Sequence, residues 1–302
     1  MDGPRLPRAE RIDGSGYALG SGRSLTFPFA QWRARDRQRT VFFDEGQGRP
    51  VVLVHGIGGN ATHWEPLARE LVADHRVIGL DLVGCGWSAK PRGLRYTIDV
   101  LCEHLLEFLA SREVRDAVLV GHSLGAAVCV EAALRRRRGV AGLALICPAG
   151  VAPTRRWIRL ATPLVARRGL LFPYLRYGGR IALGSLFVDR PRDNPNVEWF
   201  LRSTVRDEPR ASNIREMARV SEQLTRDVVT RSYAPRLAEL PFPVEVLQGA
   251  ADPVMRSVVE LQRGLARLPT VSLTVIERCG HLPWIERPRE TLALLRGYLQ
   301  RL

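Results

Sequence analysis

Lysine is almost missing from this 302-residue sequence: Lys90 is the only one, yet the formal net charge is +14 because arginine supplies nearly all the basicity. Such an excess invites phosphate-rich partners. The arginines are interspersed with acids, however, and no nucleic-acid-binding module is recognisable, so the imbalance reads as compositional bias and no nucleic-acid partner is expected. Uninterrupted apolar runs of 18 residues are also lacking, which excludes a helix that crosses a bilayer. The opening stretch MDGPRLPRAERIDGSGYALG has no apolar core of the kind a secretory signal needs, and a cytoplasmic location is expected. Cysteine is sparse and scattered. Cys85, Cys102, Cys129, Cys147 and Cys279 form no CxxC pair, which argues against a disulfide framework and a zinc cage. No metal and no cofactor are expected.

What the sequence does have is alternation. Short β-branched runs are separated by longer amphipathic stretches, the appearance of a parallel sheet covered by helices. Strands are expected at Arg39 to Glu45, Pro50 to Gly56, Arg76 to Leu82, Asp116 to Gly121, Gly142 to Cys147, Val244 to Gly249 and Ser272 to Glu277. Helices are expected at about Trp64 to Ala73, Ile98 to Ser111, Leu124 to Arg138, Ser257 to Leu268 and Pro288 to Leu299. The alternation fails between Val151 and Pro235, where helix-like pieces and turn signals such as YGGR and DRPRDNPN replace buried strands. The expected organisation is an N-terminal extension at 1–38 partly packed on the sheet, a core in two parts at 39–150 and 236–302, and a helical cap at 151–235 between them.

One short stretch carries most of the chemistry. Residues 121–125 read GHSLG, after the apolar run DAVLV and before the helix-like run AAVCVEAAL. A strand that turns at once into a helix and throws a side chain forward at the apex crowds its backbone, and small residues two places either side of the serine relieve the crowding. This is the G-x-S-x-G elbow, with its strand-to-helix context. A serine hydroxyl needs a base to take its proton and an acid to orient that base. The partners expected for this elbow follow in the order acid then histidine, and Asp252 and His281 stand just beyond two later strands.

These residues resemble the α/β-hydrolase superfamily. The resemblance covers residues 38 to 302 and rests on VLVHGIGGN, DLVGCGWSAKP, GHSLG, GAADPV and CGHLPWIERP in that order. It implies an α/β-hydrolase fold, mostly parallel with flanking helices and an inserted cap. It further implies Ser123 as nucleophile, His281 as general base and acid, and Asp252 as the acid that orients the histidine. The oxyanion donors would be the amides of Leu124 and Ile57, with Gly58 as second choice. Serine rather than aspartate at the elbow argues against the haloalkane dehalogenases and epoxide hydrolases of the superfamily.

Other polar residues have plainer roles. His55 reads as the structural histidine of an HG loop, Asp81 as a loop organiser, and His122 as a structural neighbour pointing away from the partner face of Ser123. At the alternative acid site Cys147, Pro148 and Ala149 stand where a carboxylate would be, which favours Asp252. Between Val151 and Arg231 there are 16 arginines against 8 acids. The stretch Arg155 to Phe187 mixes those arginines with aliphatic and aromatic residues, so it reads as a cap whose arginines are solvated, or as an amphipathic lid that contacts an anionic membrane surface or feeds acyl chains to Ser123. The resulting expectation is a serine hydrolase of carboxylic esters taking a small-molecule ester as its partner. Its rivals are a meta-cleavage carbon–carbon bond hydrolase, although GIGGN lacks the proline of a GPG-like loop, and a slow-turnover ligand-binding receptor.

Overall fold

The computed structural model describes residues 10–11, 30–33, 39–136, 139–151, 180–181, 183–207, 210–255 and 258–302. Among the described residues nine strands form one sheet in the order β1-β2-β3-β5-β4-β6-β7-β8-β9. They are β1 (Glu10–Arg11), β2 (Ala30–Arg33), β3 (Arg39–Glu45), β4 (Pro50–Val54), β5 (Arg76–Leu80), β6 (Ala117–His122), β7 (Val140–Ile146), β8 (Val244–Gly249) and β9 (Val271–Ile276). The pairs from β1 through β3 to β5 are antiparallel, and β5-β4-β6-β7-β8-β9 is parallel throughout. The sheet confirms every expected strand within a few residues. It adds β1 and β2, which lie in the expected extension and whose short, polar sequences carry no strand signal of their own.

Strands buried on both faces read as continuous apolar runs, and PVVLV is one. Along β4, Val52 and Val54 enter the core layer shared with α2 (Ile98–Ser111) and α3 (Leu124–Arg135). Val51 and Leu53 enter the opposite layer, packed with α1 (Glu65–Leu71) and the C-terminal helix Pro288–Leu299. The two-residue period of a strand thus divides one sequence between two cores. Helix α1 starts one residue later than expected because Asn60 first caps a 3-10 turn, Ala61–Trp64, by accepting from Thr62 N, and it ends two residues sooner. Helix α2 starts where Thr97 accepts from Val100 N at 3.3 Å.

Between β7 and β8 the described residues supply α4 (Pro195–Asp207) and α5 (Arg210–Val228). Most of the arginine-rich stretch beginning at Arg155 lies outside the described residues, as do 137 and 138. Helix α5 packs Val220 and Leu224 into the layer of α2. The remaining helices are α6 (Val258–Leu265), the single turn α7 (Pro283–Glu286) and α8 (Pro288–Leu299). Among the described residues no helix is long and apolar enough to cross a membrane. All five cysteines are buried and unbridged.

The strand order reverses direction at β4, whose neighbours are β5 on one side and β6 on the other. In an open parallel sheet, ligands bind beyond the carboxyl ends of the strands at such a switch point. The residues that follow β4 and β6 are therefore the first place to look for chemistry.

Candidate active site

Ser123 follows β6 and opens α3 with φ 51° and ψ −116°, a left-handed conformation that costs a non-glycine residue on the order of 1–3 kcal/mol. The surroundings impose it. Its N–H donates to Ile146 O at 3.0 Å, and its carbonyl accepts from Ala126 N and Ala149 N, each at 3.1 Å. A Cβ on Gly121 would stand 2.6 Å from Ala126 Cα, and one on Gly125 would stand 2.2 Å from Val54 O. The flanking glycines are demanded by backbone packed against backbone.

His281 occupies the loop after β9, and Asp252 the loop after β8. Their side chains meet, with His281 Nδ1 2.7 Å from Asp252 Oδ2. A carboxylate only accepts, so Nδ1 carries the proton and Nε2 keeps a free lone pair. Asp252 Oδ1 also accepts from Val254 N (2.8 Å) and Met255 N (2.9 Å), and Oδ2 from Gln248 Nε2 (3.1 Å). Burial alone would raise this carboxyl's pKa, but the bond and charge of His281 together with the two amides outweigh it and bring the value down to about 2.

His122 departs from expectation. Instead of pointing away, its ring lies 4.7 Å from that of His281, and Nε2 donates to the His281 carbonyl at 2.9 Å. Burial, with the neighbouring His281, holds its pKa well below the usual histidine range. It is a neutral wedge beneath the histidine loop. His55 serves structure as expected: Nε2 accepts from Leu82 N (3.1 Å), and Nδ1 donates to Gly56 O (2.8 Å). Asp81 accepts from Ala61 N and Trp87 N, both at 2.7 Å, and so ties together the loops after β4 and β5. Burial raises its pKa to about 6 despite those bonds.

Ser123 and His281 open on one cavity of about 220 Å³. Ile57 lines it and Gly58 beside it has φ 68°, a conformation that favours glycine. Leu124 is the first residue of α3, where a backbone N–H has no partner within the helix and meets the positive end of the helix dipole. The walls are apolar, from Leu183, Leu186 and Phe200 of the insertion and Val254 and Trp284 of the core.

Three lining residues escaped the sequence reading. His63 Nε2 lies 3.1 Å from Thr204 Oγ1, its ring 4.7 Å from Phe200, and its carbonyl accepts from Trp284 Nε1 at 2.8 Å. Burial pushes the His63 pKa down to about 3, so the ring is neutral. The signal available was the polar pair in NATHW directly after the glycine loop; its partners on α4 are too distant in sequence to be inferred.

The Cys147 thiol gathers with Asp252 and His281 so that their donor atoms lie within 4.8 Å. The set does not suit a metal. The histidine and carboxylate are already bonded to each other, and burial, with the charge of Asp252, keeps the Cys147 pKa well above the thiol range. A protonated thiol is a poor ligand.

A strained serine at a strand-to-helix turn and a histidine backed by a carboxylate, both facing an apolar cavity at the switch point of the sheet, are the arrangement of a hydrolase. The chain belongs to the alpha/beta hydrolase family, whose model matches residues 51–294. It is similar to Lipase 1 of Psychrobacter immobilis, 27% identical over 84% of this chain and 78% of that protein. It is also similar to 2-hydroxymuconate semialdehyde hydrolase of Pseudomonas sp. (strain CF600), 35% identical but over 37% of this chain and 41% of that protein. Among solved structures, a membrane phospholipase A described as a bacterial virulence factor superposes with a TM-score of 0.72 at 27% identity, covering 90% of this chain and 86% of that one.

Proposed function

We propose that the protein hydrolyses carboxylic esters through Ser123, with His281 as base and acid and Asp252 as its orienting carboxylate. The observation that carries this reading is the 2.7 Å bond between His281 Nδ1 and Asp252, which leaves Nε2 as a base in the cavity that the Ser123 elbow enters. His281 Nε2 takes the Ser123 proton as Oγ attacks the ester carbonyl carbon. The oxyanion is received by the amides of Leu124 and Ile57. The imidazolium then protonates the departing alkoxide, and water repeats the sequence to free the acid from Ser123.

The insertion acts as a cap, a reading supported by Leu183, Leu186 and Phe200, which line the same cavity as Ser123. A volume of about 220 Å³ is smaller than a typical site for a drug-sized ligand, which suits an acyl group of modest length better than a whole lipid. The likeness to Lipase 1 supports ester cleavage. The local likeness to 2-hydroxymuconate semialdehyde hydrolase favours carbon–carbon cleavage as a second reading. Such substrates are carboxylate anions, and among the described residues lining the cavity there is no lysine or arginine to receive one. Labelling of Ser123 by a fluorophosphonate, and its loss in Ser123→Ala together with hydrolysis of nitrophenyl esters, tests the reading. An unlabelled serine beside a labelled control hydrolase would overturn it.

A further inference from the structure

The loop that carries His281 is joined to the insertion through a side chain with no part in the reaction just described. Glu286 ends α7 and is 2% exposed. Its Oε2 accepts from Gly280 N at 2.6 Å, and its Oε1 accepts from Val188 N at 2.7 Å and Asp189 N at 2.6 Å. Three N–H donors converge on one carboxylate, an arrangement that only a group with two acceptor oxygens satisfies. One donor precedes His281, and two belong to the inserted segment.

Other contacts run along the same line. His281 N donates to Leu186 O at 2.7 Å. A Cβ at Gly280 would stand 2.2 Å from that same oxygen, so the two backbones touch without an intervening side chain. On the solvent side the Arg287 guanidinium grips both oxygens of Asp189 (2.5 and 3.0 Å) and also donates to Arg278 O (2.6 Å). Asn194 Nδ2 donates to Asp189 Oδ2 (2.8 Å) and to Glu286 O (3.2 Å). Leu186 meanwhile forms part of the cavity wall. One short segment therefore shapes the cavity and bonds the backbone of the histidine.

We propose that Glu286 is a positioning residue whose buried carboxylate couples docking of residues 186–189 to the placement of His281. The proposal rests on the reading of His281 as the base. When the segment is docked, the carboxylate holds Gly280 N and His281 stands between Asp252 and the cavity; when it lifts, Gly280 loses its anchor and the imidazole loses register.

Glu286→Gln tests this with little change of shape. A carboxamide can offer its single oxygen to the amides of Val188 and Asp189 or to Gly280, never to both, and its NH2 then faces an N–H. Turnover of a nitrophenyl ester, the melting temperature, and the low-field proton resonance of the His281 Nδ1–Asp252 bond are compared in wild type, Glu286→Gln and the exposed control Glu290→Gln. The expected result is a kcat lower by roughly 10- to 100-fold with KM changed less than about two-fold, and a low-field resonance shifted or broadened, in Glu286→Gln alone. An unchanged resonance and kcat per folded enzyme would overturn the proposal, even if the melting temperature fell, because stapling alone would then account for Glu286. Should Glu286→Gln not fold, Asp189→Asn loosens the same clasp from the solvent side and is read by the same two signals. A wild type that hydrolyses no ester sinks the proposed function, while the resonance still decides the role of Glu286.

Discussion

The two halves of the site are positioned by different physics. Ser123 is held by sterics: it follows a strand near the middle of the sheet, and glycines on either side let the start of α3 press against the strand ends. His281 and Asp252 stand on loops, and hydrogen bonds hold them: the carboxylate accepts from three neighbours besides the imidazole, and the histidine backbone is bonded to the insertion and to the ring of His122. A steric position is indifferent to pH and salt and fails abruptly when an atom is added. A hydrogen-bonded one is adjustable, and the size of its failure depends on which donor or acceptor is exchanged.

The largest effect should come from the adjustable half. Asp252→Asn is expected to keep the fold and lower kcat by about 10⁴-fold, because the amide no longer stabilises the imidazolium and favours the wrong tautomer. Steady-state kinetics beside a melting curve checks this, and near wild-type turnover would mean that another carboxylate serves His281. The steric half should respond to Gly125→Ala, whose methyl would stand 2.2 Å from Val54 O. A loss of roughly 3 kcal/mol in urea unfolding is expected; a loss below about 1 kcal/mol would show that the elbow has slack.

Acid should separate the halves next. The Asp252 pKa is about 2 in the folded chain and about 3.9 unfolded, a depressed value, so its contribution is complete above the unfolded pKa and disappears as pH falls through the folded one. That is roughly 2–3 kcal/mol lost between about pH 5 and pH 2. Stability measured against pH should show this acid limb in wild type and lack that share of it in Asp252→Asn; identical limbs would remove Asp252 from the account. Smaller still is the effect of the acyl chain. Each methylene buried against Leu183, Leu186 and Phe200 should add about 0.8 kcal/mol, a few-fold in kcat/KM per carbon from acetyl onward until the cavity is full. A steady fall from acetyl would mean that the walls exclude acyl chains.

The smallest effect belongs to the far seam of the insertion. There Asp227 Oδ2 accepts from Ile98 N at 2.9 Å, and Arg231 bridges Asp99 (2.6 Å) and Asp227 (3.1 Å) in a partly exposed cluster. Arg231→Ala should cost no more than about 1 kcal/mol, less in high salt, and leave kcat unchanged. A fall in kcat would extend the sensitivity of the histidine side across the whole insertion.

Local pattern made the core legible. The apolar runs announced seven strands, and GHSLG, AADPV and RCGHLPW placed Ser123, Asp252 and His281 at strand ends that the sheet brings to one side. What stayed hidden depends on direction or on distance along the chain. The orientation of His122 is set by the packing of Trp284, 4.7 Å from its ring, which no spacing encodes. His63 meets Thr204 across 141 residues, and Glu286 receives amides 97 and 98 residues upstream. Such partners come from the insertion, whose helices carry many charges and little period-two signal. Glu286 lay within a motif already singled out, but a carboxylate among charged neighbours reads as surface until its burial is known.

The five buried thiols turn the molecule into its own opening gauge. Cys102 belongs to α2 and Cys129 to α3, Cys85 lies in the loop after β5, and Cys147 and Cys279 flank the site. Burial keeps most of them protonated, and a protonated, enclosed sulfur does not react with an alkylating reagent. Each sulfur is therefore trapped by reagent only during the moments its surroundings part, and the rate records how often they do. Cys102 and Cys129 would time the rupture of the central layer, whereas Cys279, one residue from the amide that Glu286 holds, would time the release of the histidine loop alone.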